Sequence, residues 1–197
     1  MCIRDRFRRP DQLLKNLAIN LVALPAYVGL VTWVVVLFQD SSRTHAEVLK
    51  WMETHGKEAM ACGLIVFVVA DDMQFWHASL GKHKSHRIAN ELWEAGALGD
   101  GCASPKHLVL VNLDGDNLPG PTFVPTLVKE ALEYVDLPMV LWFHGEAGGT
   151  CGRICYWADD FFAINGYDED LEPVGYQDID VINRLKVKQK EKWGQPW

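Results

Sequence analysis

The chain has 197 residues, enough for one domain with a sizeable core and few for two. Apolar residues at 49% and charged residues at 23% exclude wholesale disorder. A net charge of −7 excludes a general nucleic-acid binder, which needs a basic surface, and is compatible with a bound divalent cation.

The first ten residues, MCIRDRFRRP, are basic and carry no usable period. They are expected to lie outside the domain, as an artefact or a disordered leader. Residues 17–39 contain no charge and are long enough to span a bilayer. Asn20, Pro25, Gly29 and Thr32 interrupt that run, however, and it divides into two patterns. Leu13, Leu17, Leu21 and Leu24 recur at helical spacing, which predicts a helix over 11–24. VTWVVVLF, 31–38, is a β-branched and aromatic block and predicts a buried strand. Helix, turn and strand is therefore preferred to a membrane anchor. Ser42 or Thr44 can cap the next helix, 44–55, with Gly56 closing it. GLIVFVVA, 63–70, is a second buried strand, and it ends on Asp71 and Asp72. A helix over 79–95 leads into a loop from Gly96 to Pro105. A strand at 107–113, a helix at 123–135 and a strand at 138–145 follow.

Strands and helices that alternate, with strands apolar throughout, predict an α/β domain with a mainly parallel mixed sheet. In such sheets ligands bind beyond the carboxyl ends of the strands. Three strands end on polar groups there: Asp40-Ser41-Ser42, Asp71-Asp72 and Asp114-Gly115-Asp116. The five cysteines form no CxxC or zinc spacing, and Cys151 and Cys155 can be either a pair or two buried thiols.

Asp114-Gly115-Asp116 admits several chemistries. An EF-hand loop fails, because Leu118 and Pro119 fall at its fifth and sixth positions. A phosphatase with a carboxylate nucleophile fails, because Asn112 occupies the nucleophile's place. Two readings remain open on these residues: a simple turn after a strand, or a DxD that holds Mn²⁺ or Mg²⁺ against a diphosphate.

Residues 152–185, GRICYWADDFFAINGYDEDLEPVGYQDIDVINRL, supply context. This stretch resembles the C-terminal motif of inverting GT-A glycosyltransferases, in particular their galactosyltransferase-like and family-2-like groups. The matching residues are Phe161, Gly166-Tyr167-Asp168-Glu169, Gly175-Tyr176, Asp178, Asp180 and Arg184-Leu185. Upstream, LLKNLAINL, VVVLFQDSS, HASLGKHKSHRIA and LVNLDGDN resemble family segments in the same order. Gln177 stands where the family has Glu, and His83 where it has Asn.

The resemblance implies a GT-A fold, an α/β/α sandwich, with residues 11–117 as the nucleotide-sugar half and 118–190 as the acceptor half. It implies transfer of a sugar from a nucleoside diphosphate, here a UDP-sugar, to a hydroxyl acceptor such as a glycan. Inversion needs a base opposite the leaving diphosphate. Asp178 matches the family's base, and Asp180 would cap or orient the helix that follows; an N-cap is the plain alternative for Asp178. Asp116, with Asp114, would hold the metal, and Asp114 can also reach the ribose. Asp40, Ser42 and Lys82 would contact the donor, Lys82 meeting phosphate; without the family, Lys82 would be a solvated helix charge. Gly175, Tyr176, Gln177 and Trp157 would meet the acceptor; Trp157, Tyr167 and Tyr176 can stack on a sugar ring or simply pack in the core. The family's first strand, expected before the 11–24 helix, and a metal-binding His beyond the base are not found in the sequence, so the chain reads as a fragment lacking both edges. The rival expectation is a catalytically silent GT-A-like module that binds a glycan or partner.

Overall fold

The computed structural model of the chain describes residues 2–4, 10–23, 27, 29–38, 42–70, 77–98, 108–114, 120–135, 137–142 and 153–194. Its strands are β1 (Cys2–Arg4), β2 (Trp33–Phe38), β3 (Ile65–Ala70), β4 (Val109–Asp114), β5 (Val140–Trp142) and β6 (Ile154–Trp157). Its helices are α1 (Pro10–Ala23), α2 (Ser42–Trp51), α3 (Lys57–Ala61), α4 (Ala78–Glu94), α5 (Phe123–Glu133), α6 (Ala158–Ala163) and α7 (Gln177–Trp193). The strands form a six-stranded sheet in the order β3-β2-β1-β4-β6-β5. β3, β2, β1 and β4 run parallel, and β6 is antiparallel to both β4 and β5. The sheet is mixed and mainly parallel, as the alternation of elements predicts.

Every residue of β2 is buried. Its side chains alternate between two clusters, which explains a run with no polar position. Val34, Val36 and Phe38 join Leu110, Ile154 and Tyr156 beneath Ala89 of α4, Phe161 of α6 and Val181, Ile182 and Leu185 of α7. Trp33, Val35 and Leu37 join Leu113 beneath Leu13 and Leu17 of α1 and Val48 of α2. A third cluster sets Val111, Cys155 and Trp157 against Phe123, Val124 and Leu127 of α5. Helices thus cover both faces of the sheet.

The uncharged run 17–39 is divided between α1 and the paired strand β2. Among the described residues no helix is long and apolar enough to cross a membrane. Two expectations need correction. Cys2–Arg4, expected outside the fold with the first strand missing, form β1, paired in parallel to β2 on one side and β4 on the other. A three-residue strand is too short for periodicity to register in sequence. Gly56 does not close its helix. Residues 52–56 form a π-helical turn that runs on into α3. A Cβ at Gly56 would stand 3.0 Å from the Met52 sulfur, so this glycine permits a close approach within a continuing helix.

Cys155 is a free, buried thiol whose pKa burial pushes up to about 12, so it behaves as an inert hydrophobe. Cys151 lies outside the described residues.

Candidate active site

The site is built on the N-terminal parts of two helices. α4 opens at His77, whose Nδ1 accepts a 3.4 Å hydrogen bond from the Leu80 amide. Along α4, Ser79, Lys82, His86 and Ala89 recur every three or four residues and are all buried. A lysine in phase with such a face must find a counter-charge or forfeit its charge. Lys82, only 1% exposed, has one. Its Nζ forms a hydrogen-bonded ion pair with Oδ1 of Asp178, in the first turn of α7.

Asp178 is 8% exposed. Its Oδ1 also accepts a 3.2 Å hydrogen bond from the Tyr167 hydroxyl. Tyr167 is buried in the core, with the Lys82 Nζ 5.4 Å from its ring centroid. That ring lies parallel to His86 at 6.2 Å and 5°, and His86 Nε2 is 2.8 Å from the Tyr156 hydroxyl. Two bonded groups therefore run beneath α4: Lys82–Asp178–Tyr167 and His86–Tyr156.

The connection from α6 to α7 sets the Tyr167 contact. Asn165 and Gly166 are both left-handed, at φ 61° and 67°. A Cβ on Gly166 would lie 2.9 Å from both His83 Nε2 and Phe161 Cζ, so the chain can pass here only as glycine. Arg184 donates to the Ile164 carbonyl at 2.8 Å and to Asp180 Oδ2 through Nε and Nη2, at 2.8 and 2.6 Å. Asp180 thus orients α7 through Arg184. Neither Asp178 nor Asp180 caps the helix, because its N-cap is Tyr176, which makes no side-chain cap. Both carboxylates do lie in the first turn, where the helix dipole favours negative charge. At the other end of α7, Gln189 and Lys192 reach the buried Asp160 of α6, at 2.9 and 3.3 Å. The amide of Ala78 donates to the Pro173 carbonyl at 2.7 Å, which ties the start of α4 to the segment leading into α7.

Gly175 and Tyr176 form a second left-handed pair, at φ 110° and 59°. Tyr176 is 81% exposed. Gln177 is buried, and its Oε1 has no hydrogen-bond partner among the described residues. Trp157 lies elsewhere. It ends β6 in the cluster beneath α5, and its indole nitrogen donates to the Leu137 carbonyl at 2.9 Å. Of the three aromatic residues that sequence marks for sugar stacking, Trp157 and Tyr167 are core and Tyr176 alone presents its ring to solvent. Beside Lys82, His83 Nδ1 is 2.9 Å from Glu169 Oε1. Burial lowers His83 below its ordinary pKa of 6.5, although Glu169 pulls in the opposite direction.

Asp114 ends β4, half-buried and level with Arg4 of β1. Its carboxylate is a hard oxygen donor of the kind Mn²⁺ and Mg²⁺ prefer. Asp116 and Asp40 lie outside the described residues, as does the side chain of Ser42, which opens α2. No group of three or more His, Cys, Asp or Glu stands together among the described residues.

Sequence reading placed Lys82 and Asp178 in separate roles and missed their pairing, along with the hydroxyl of Tyr167 and the whole of His86–Tyr156. A signal for the buried face of α4 was present: Ser79, Lys82 and His86 share the helical phase of Ala89, a pattern at odds with a solvated Lys82.

No protein-family model and no curated protein sequence matches the chain. Among solved structures it is similar to the mannosyltransferase PcManGT from Pyrobaculum calidifontis, in complex with GDP-Man and Mn²⁺. The TM-score is 0.62 at 15% identity, over 95% of this chain. The chain has a glycosyltransferase-like fold. It spans 52% of that mannosyltransferase, about half its length. At this identity the likeness is one of fold alone.

Proposed function

We propose that the chain carries the catalytic region of a GT-A-type inverting glycosyltransferase. It would move a sugar from a nucleoside diphosphate to a hydroxyl acceptor. The observation that carries this reading is Asp178: a buried carboxylate at a helix N-terminus, held on one oxygen by Lys82 and Tyr167, within a glycosyltransferase-like fold. Asp178 is the base. As the acceptor oxygen bonds to the anomeric carbon, its proton passes to the carboxylate. The bond from that carbon to the diphosphate breaks, and its electron pair leaves on the phosphate oxygen.

Asp114 and Asp116 would hold Mn²⁺ or Mg²⁺, which would supply positive charge against the leaving diphosphate. Asp40 and Ser42 lie on the nucleotide side in this reading, whereas the Lys82 ammonium, which the resemblance assigns to phosphate, is engaged by Asp178. Gly175, Tyr176 and Gln177 precede the base in the chain and serve the acceptor. The exposed Tyr176 ring offers an apolar face to a sugar, and the Gln177 amide a hydrogen bond. The donor is a UDP-sugar by sequence resemblance, whereas the similar solved structure holds GDP-Man.

A catalytically silent glycan- or partner-binding module is the second reading. Gln177 at the family's Glu position favours it, and so does an ion pair that would also serve as a structural clamp. The test is the melting temperature with Mn²⁺ plus UDP or GDP, which should rise in the native chain and stay unchanged in Asp116→Ala. Asp178→Asn should keep the shift and lose sugar transfer. No shift with either nucleotide would sink the donor site; a shift without turnover would favour the silent module.

A further inference from the structure

We infer that Tyr167 and Lys82 are positioning residues that fix which oxygen of Asp178 receives the acceptor proton. The inference rests on Asp178 being the base. A free carboxylate turns about its Cβ–Cγ bond and offers either oxygen. Here both donors fall on Oδ1, one from α4 and one from the connection behind α6. Oδ2 accepts no hydrogen bond among the described residues, while the carboxylate side chain keeps 11% exposure. Oδ2 is therefore the oxygen left to take a proton.

The surroundings of Tyr167 are built to hold its hydroxyl in place. Its ring lies parallel to His86 and meets Phe161 edge-on at 5.7 Å and 64°. Phe161 in turn stacks on Tyr156 at 4.9 Å and 3°, and the Tyr156 hydroxyl meets His86. Gly166 allows the turn that delivers the ring, and Arg184 fastens the carbonyl two residues before Gly166. In the reaction, the acceptor proton goes to Oδ2. Tyr167 and Lys82 keep their own protons and hold Oδ1 throughout, so no reorientation of the base is needed at the moment of transfer.

The test uses the whole chain with Mn²⁺ and GDP-Man or UDP-galactose, and measures release of the nucleoside diphosphate with water as acceptor. Tyr167→Phe keeps the ring and removes only the hydroxyl. Its kcat should fall about tenfold, with donor KM within about twofold of the native value. Lys82→Arg, which keeps a cation on Oδ1, should retain more kcat than Lys82→Met. A native kcat in Tyr167→Phe, a loss carried by donor KM instead, or equal kcat losses in the two Lys82 variants would each overturn the inference. Asp178→Asn separates it from the reading beneath it: activity retained there means that Asp178 is not the base, whatever Tyr167 does.

Discussion

Lys82 and Asp178 stand 96 residues apart in sequence and meet as a buried ion pair. Removing one partner of such a pair strands the other charge in a site with little water, at about 3–5 kcal/mol. Removing both leaves two neutral groups and restores part of that loss. Lys82→Met should therefore destabilise the fold by roughly 3 kcal/mol. For a chain of this size, that is about 6–12 °C in melting temperature. The double variant Lys82→Met, Asp178→Asn should be less destabilised than the sum of the two singles. Urea denaturation of all four proteins measures this coupling, and strict additivity would mean the two side chains do not interact in solution. Tyr167 belongs at the same scale. Sequence leaves its ring open between a sugar platform and core packing; the ring is core, and its hydroxyl is the polar handle on Asp178.

At the level of elements, the connection between α6 and α7 decides where the site residues fall. It is entered through Asn165 and Gly166 and left through Gly175 and Tyr176, and all four have left-handed backbone. Such a conformation costs an L-residue roughly 1–2 kcal/mol, and the exposed Tyr176 gains little packing to offset it. Gly166 is the more constrained position, because conformation and space both forbid a side chain there. Gly166→Ala should cost about 2–4 kcal/mol, combining left-handed strain with a clash against His83 and Phe161. Thermal unfolding checks the figure, and a loss below about 0.5 kcal/mol would show that the turn relaxes freely. α7 itself is held at its middle and near its C-terminal end: Arg184 grips the turn behind α6, while Gln189 and Lys192 grip Asp160. Asp178 is thereby placed by a helix fixed along its length.

For the molecule as a whole, the sheet order puts the shortest sequence signal in a central place. β1 holds β2 on one side and β4 on the other, and β4 ends on Asp114. Without β1 the backbone groups along both inner edges would lose their pairing, and each buried group left so is costly. A chain that begins at residue 10 should therefore lose its cooperative thermal transition. Circular dichroism melting tests this, and a sigmoidal transition at the native temperature would show that β2 and β4 hold together without β1.

Local pattern alone determined the elements that pattern can reach. The apolar run of β2, the leucine spacing of α1 and the alternation of strand and helix all follow from side-chain period and burial, which a sequence displays directly. Asp178 at the start of α7 and Asp114 at the end of β4 are singled out by the resemblance alone. Only the tertiary structure decided the partners. Nothing in the sequence joins Lys82 or the Tyr167 hydroxyl to Asp178, because a sequence carries no distance between α4, the α6–α7 turn and α7. The same lack hid β1, whose three residues become a strand through neighbours that lie far along the chain. Burial sets Trp157 in the core beneath α5 and leaves Tyr176 exposed two residues before Asp178. The physical reason is general: period fixes which face of an element is buried, whereas what that face touches is set by contacts between elements distant in sequence.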